Sequence, residues 1–259
     1  MSGWNFFQAL SNTGAGGTAA LTTGTIKPNI GDLIVASGGV TWATTNPSTY
    51  VISDSSSGGA AWNAVLLQQS TNHLSLVTAW KVANAADNNG GAGITVTATS
   101  AGGVGATSFH RVEADVFRPP AQAVGTPALD LSASAMSTVA ISSFALNPSV
   151  GSSQPTLIDE LAVTCLYTGI NSNGGLTGIN QFMPGAVPLT STGFTGASFN
   201  SNFMTQYGGG AQAQAVAGNN TWDNQWTTAR SNVYFGLTFY YPGPQVSSGG
   251  ANFFQVMMG

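Results

Sequence analysis

The segment Thr25–Ser37 reads Thr-Ile-Lys-Pro-Asn-Ile-Gly-Asp-Leu-Ile-Val-Ala-Ser, a turn signal at Pro28, Asn29 and Gly31 followed at once by the apolar run Leu33–Ala36. Proline fixes φ and glycine permits positive φ, so the pattern specifies a strand opened through a tight turn. The phrase returns as Phe144–Gly151 followed by Leu161-Ala-Val-Thr-Cys-Leu. Thr138, Ala140, Pro148 and Gly151 match Thr18, Ala20, Pro28 and Gly31 at one constant offset, and Leu161 and Val163 match Leu33 and Val35 after a short insertion. Both blocks also close alike, Phe109–Phe117 running into Pro119-Pro120 and Val233–Tyr241 into Pro242-Gly-Pro. A duplicated unit of about 120 residues is the simplest origin of this pattern.

Further strands are expected at Thr18–Ile26, Asp32–Val40, Tyr50–Ser53, Trp62–Gln68, Leu74–Val82 and Ile94–Thr99, the last alternating apolar residues with Thr. Asp54-Ser-Ser-Ser-Gly-Gly and Asn84–Gly93 read as loops. No stretch places apolar residues at i, i+3, i+4 and i+7 between caps, so helices are not expected. Many short, turn-bounded strands make an all-β chain of two tandem antiparallel β-sandwich domains, of jelly-roll or immunoglobulin-like type. They cover 1–120 and 121–244, the second with a long Gly/Asn-rich insertion at 168–218, and an apolar C-terminal arm follows at 245–259. A single larger sandwich built from both halves fits the same pattern.

Charged residues are 5% of the 259-residue chain, while the hydrophobic fraction is 42%. An average soluble domain carries roughly a quarter charged residues. The surface is therefore made of Ser, Thr, Asn, Gln and Gly, which do not repel copies of the same molecule. Recurrent aromatic and β-branched residues, with a net charge of −4, argue against disorder. Lys27, Lys81, Arg111, Arg118 and Arg230 are scattered, which leaves no footprint for nucleic acid or an anionic membrane surface. No apolar run approaches the ~20 residues of a membrane span. Cys165, the one cysteine, has apolar neighbours and reads as a buried small hydrophobe. The first residues lack the basic and apolar regions of a signal peptide. A composition suited to the cell exterior without an export signal fits a protein released by lysis of the cell that made it.

Asn5-Phe-Phe-Gln near the start recurs as Asn252-Phe-Phe-Gln near the end. Trp4, Phe6 and Phe7, with Phe253, Phe254, Val256, Met257 and Met258, are the candidate subunit contacts. Such apolar ends serve either as edge strands of their own domain or as arms adding a strand to a neighbouring copy.

Signals for chemistry are few. In His110-Arg-Val-Glu-Ala-Asp-Val-Phe-Arg, a strand places Arg111, Glu113 and Asp115 on one face and Val112, Ala114 and Val116 on the other. Carboxylates ~6.5–7 Å apart at the Cα level have a spacing usable in glycoside hydrolysis. A solvated, self-compensating charge ladder explains the pattern more simply. Two histidines (His73, His110) and one cysteine do not make a zinc set. Asp54, Asp87-Asn88-Asn89 and Asp159-Glu160 read as turn-forming residues before calcium ligands. Neither a Gly-x-Ser-x-Gly elbow nor a phosphate-cradling Gly-x-x-x-x-Gly-Lys loop occurs. No catalytic residue, metal or cofactor is therefore expected. Tyr207, Trp222 and Trp226 beside Asn and Asp are candidates for a glycan-stacking platform, although a core strand followed by a turn has the same appearance.

Taken together, Pro28–Leu33, the turn Ser53–Trp62, Trp80–Ala83, Thr95–Thr97 and Phe109–Pro120 resemble a loose family of β-rich virion proteins from phages and prophage-bearing bacteria. The likeness covers most of the first block and, in the second, the opening and closing strands. It implies a non-enzymatic virion structural protein, such as a capsid decoration (cement) or tail-associated protein. Its partners would be copies of itself and a major capsid or tail protein, met in the host cytoplasm during virion assembly. A tail-fibre adhesin reading a host surface glycan through 168–226 is the alternative, and a polysaccharide-cleaving enzyme using Glu113 and Asp115 a remote one.

Overall fold

The computed structural model describes residues 4–14, 18–103, 107–119, 125–146, 160–168, 178–182, 194–195, 203–210 and 221–240. The strands are β1 (Asn5–Gly14), β2 (Ala20–Ile26), β3 (Leu33–Trp42), β4 (Thr49–Asp54), β5 (Asn63–Gln69), β6 (Leu74–Val82), β7 (Ile94–Ala101), β8 (Thr107–Arg118), β9 (Ala128–Leu146), β10 (Glu160–Thr168), β11 (Gly178–Phe182), β12 (Phe194–Thr195), β13 (Phe203–Gly210) and β14 (Thr221–Tyr240). The expected loop at Asn84–Gly93 holds one short helix, α1 (Ala85–Asn88), started by a capping box between Asn84 and Asp87, and a 3-10 turn after it. The all-β, antiparallel architecture is as the sequence leads one to expect.

Three sheets form. A small one runs β2-β7-β4, a second β1-β8-β3-β6-β5, and a third β14-β10-β13-β12 with β9 on the free side of β14 and β11 beside its start. The third therefore repeats the strand order of the second, β9 standing for β1, β14 for β8 and β10 for β3. Register repeats as well: Leu33 lies opposite Phe117 on β8, and Leu161 opposite Phe239 on β14. The middle sheet's order and register thus recur in the third, but the sequence match is not the structural one: Thr138 and Ala140 lie on β9 of the third sheet, whereas Ala20 opens β2 of the small one, and Pro148 and Gly151 lie outside the described residues.

Two core clusters separate the layers. Ile26, Ile34, Ala36, Tyr50, Val77, Val96, Val112 and Val116 fill the space between the small sheet and the second. Leu33, Val35, Leu74, Leu76 and Phe117 meet Leu161, Val163, Tyr167, Val233, Phe235, Leu237 and Phe239 on the opposite face. The second cluster thus draws on both blocks of the chain. The middle sheet is covered on both faces, which is why β3 reads as an unbroken run of apolar and small residues. Its Gly38-Gly39 pair lets two rings approach the backbone: a Cβ at Gly38 would strike Tyr50, and one at Gly39 would strike Tyr167 from the other side.

One expectation is overturned. Arg111, Glu113 and Asp115 were expected on a solvated face of β8, yet all three are at most 2% exposed. They point into the gap between the duplicated sheets, because the third sheet covers the face that alternation assigns to water.

Candidate functional site

Three places concentrate chemistry or contact potential. The first is an ionic latch at one end of the small and middle sheets. Asp54 terminates β4, and its Oδ1 accepts hydrogen bonds from the Ser56 backbone and hydroxyl. Its Oδ2 accepts from Trp62 Nε1 and from Lys81 Nζ, each at 2.6 Å. Lys81, near the end of β6, also donates to Asp87 Oδ1 at 2.5 Å, and its ammonium lies 4.6 Å from the centre of the Trp62 ring. Asp87 Oδ2 accepts from the backbone N–H groups of Asn84 and Ala60. The side chains of Lys81 and Asp87 are fully buried. Burial raises the Asp54 pKa, but hydrogen bonds from Lys81 and Ser56 outweigh it and hold the carboxyl below its usual range.

Nearby, Asp32 accepts from the Asn29 N–H and pairs with Arg118, while the Gly31 N–H donates to the Ala83 carbonyl. The segments Pro28–Leu33, Ser53–Trp62 and Trp80–Ala83 therefore converge on one end of the molecule. Reading Asp54 and Asp87 as turn formers missed this cluster. The available signal was a lysine on an otherwise apolar strand, flanked in sequence by an Asp…Trp turn and a second Asp.

The second place is the polar patch between the duplicated sheets. Row by row across the middle sheet, Ser11, Glu113, Ser37 and Thr78 stand side by side, and Ala9, Asp115, Val35 and Trp80 form the next row. From the third sheet, Cys165 meets Ser37 Oγ at 2.7 Å, and Tyr167 OH meets Thr41 Oγ1 at 2.8 Å. Arg111 lies 3.9 Å from Glu113. Burial, with Glu113 as a like charge, raises the Asp115 pKa well above the usual carboxyl range. Burial likewise pushes the Cys165 thiol up to about 12, which leaves it inert. His110 lies on the other face of β8, where Nδ1 donates to the Thr18 carbonyl and burial lowers its pKa.

The third place is the outer edge. β1 pairs with β8 on one side; Asn12 Nδ2 donates to the Thr22 carbonyl on β2, and Gln8 Oε1 accepts from the Lys27 N–H just after it. Of the candidate contacts, Trp4 is partly buried against the second core cluster, whereas Phe6 and Phe7 are 36% and 41% exposed. Phe6 packs edge-on against Phe117 at 6.1 Å, and the Arg118 guanidinium covers the Phe7 ring at 3.4 Å. The long strand β9 exposes Met136 and Val139. Phe253, Phe254, Val256, Met257 and Met258 lie outside the described residues. Tyr207 stands opposite Val163 on β10, in a row with Leu237 near the end of β14; Trp222 and Trp226 lie toward the start of that strand. Among the described residues no group of three or more His, Cys, Asp or Glu is arranged to hold a metal ion, and no helix is long and apolar enough to cross a membrane.

Comparison of the chain with protein-family models, with curated proteins and with solved structures finds no match.

Proposed function

We propose that this protein is a non-enzymatic virion structural component, a phage capsid decoration or cement protein that assembles with copies of itself and with a capsid or tail protein through strand edges and apolar termini. One observation carries the reading: among the described residues, most ionic groups are turned inward. Lys81 and Arg111 are buried beside acids and Arg118, 33% exposed at the edge, pairs with Asp32; among the described side chains Lys27 alone is both charged and fully exposed. What faces outward is a neutral hydroxyl and amide surface with aromatic edge residues, a surface whose contacts salt does not screen. Repeated over a lattice, even modest apolar patches at ~25 cal/mol per Å² add up through multivalency.

Within this reading the chain is two tandem sandwich units built against each other, with 245–259 as a contact arm, and it resides in the virion. The hydrolase alternative loses its geometric basis, since Glu113 and Asp115 sit between two sheets where a polymer has no access. Sedimentation of the purified chain across a concentration series, at about 0.05 and 1 M salt, tests assembly, because exposed ionic contacts are largely screened at the higher value. Oligomers that persist unchanged at both are expected. A monomer at every concentration sinks the proposal, as does immunogold labelling that finds the protein away from the particles.

A further inference from the structure

The latch around Lys81 has the components of an amide-forming site, and we propose that Lys81 and Asp87 join through an isopeptide bond between Nζ and Cγ. This modification is independent of the virion reading.

Four observations carry it. Lys81 Nζ lies 2.5 Å from Asp87 Oδ1, with both side chains fully buried. The carboxyl carbon is one bond beyond Oδ1, which places it near the ~3–3.5 Å of a near-attack arrangement. A second carboxylate, Asp54 Oδ2, touches the same nitrogen at 2.6 Å and is positioned to move protons. Asp87 Oδ2, away from the lysine, already accepts the Asn84 N–H at 2.9 Å and the Ala60 N–H at 3.2 Å. Those two donors face the oxygen on which negative charge develops when the carbonyl carbon is attacked. Trp62 lies across the ammonium at 4.6 Å, and the Lys81 and Asp87 side chains have no exposure to water.

The step balances without a co-reactant. Asp54 takes a proton from the Lys81 ammonium, and the free amine attacks Asp87 Cγ. The new C–N bond forms as Oδ1 departs. Asp54 relays two protons in all from nitrogen to that oxygen, which leaves as water, and Asp54 ends as it began. One ammonium and one carboxylate become a neutral amide, so that buried ion pair no longer has to be kept out of water, while Asp54 stays a carboxylate. Asp54 keeps its bonds from Ser56 and Trp62. The ring closed is short, since the two residues are six positions apart, so its effect falls on the turn between β6 and α1.

Intact-mass spectrometry of the denatured full-length chain decides the matter. The expected mass is one water below that of the sequence, with Lys81 resistant to trypsin and no backbone fragments arising within 81–87. A cyclic imide at Asp87 also loses water, so Lys81→Arg separates the two: the isopeptide requires the full mass in this variant, whereas an imide keeps the deficit. Asp54→Asn, which removes the proton relay but leaves the reacting pair, should also restore the full mass. A folded wild-type protein at the unmodified mass overturns the proposal, and so does a deficit that survives Lys81→Arg. The wild-type measurement stands even if a variant fails to fold.

Discussion

At the scale of single residues, the most exacting position is Gly39. A strand interior normally disfavours glycine, yet here the missing side chain is the space in which the Tyr167 ring lies, with its hydroxyl bonded to Thr41. Gly39→Ala is expected to destabilise the fold by about 1–3 kcal/mol, the usual cost of overpacking, and chemical denaturation measures it. The buried titratable groups give opposite pH signatures. Asp115 has a raised folded pKa, so its contribution is full below the unfolded value of about 3.9 and is lost as pH rises through the folded one. His110 has a lowered folded pKa, so its contribution is full above about 6.5 and is lost as pH falls. Asp115→Asn should therefore raise the melting temperature at pH 7, by the equivalent of about 1–3 kcal/mol, and change little near pH 4. An equal shift at both pH values would show that its carboxyl is not held protonated. Of these residues only Cys165 was legible beforehand as buried. Alternation in β8 gave the faces of Arg111, Glu113 and Asp115 correctly but not their solvent, because a strand's own pattern does not say whether a second sheet lies over it.

Among elements, β1 is where the proposed assembly can be tested without disturbing the core. Its Phe7 is exposed beneath Arg118, and a charged residue on an edge is the common protection against unwanted pairing. Phe7→Glu is expected to weaken self-association about tenfold or more, corresponding to ~1.4 kcal/mol, with the melting temperature of the subunit nearly unchanged. Sedimentation equilibrium and calorimetry on the same samples separate the two effects. The turn chemistry that opens β3 was plain in Pro28, Asn29 and Gly31, and the strand-ending prolines marked the close of β8. The latch was hidden for a different reason. Asp54 and Trp62 come from one turn, Lys81 from β6 and Asp87 from α1, and turn statistics account for each aspartate alone, so only their convergence in space reveals an ion cluster.

The whole molecule turns on the layer shared by the duplicated sheets. Matching of the two halves in sequence suggests blocks that each bury a core, and for the first block the cluster between the small sheet and the middle one fits that idea. The other face of the middle sheet cannot stand alone, however. Leu33, Val35, Leu74, Leu76 and Phe117 are each at most 1% exposed only because β10 and β14 cover them. Covering strands and covered strands are equivalents of one another, Ser37 bonding Cys165 and Gly39 receiving Tyr167, so each copy of the repeat supplies the other's missing layer. A fragment ending at residue 120 would leave that face open, a contiguous apolar surface of the kind that drives aggregation. It should bind a hydrophobic dye and precipitate, or melt well below the full chain, while Leu33→Thr with Leu76→Thr in the fragment should improve its solubility. The same pair in the full chain should cost several kcal/mol, since two buried leucines lose their packing. A fragment that is soluble, monomeric and as stable as the parent would mean that the two sheets merely touch. The expected result instead makes the second half of the chain part of the first half's core.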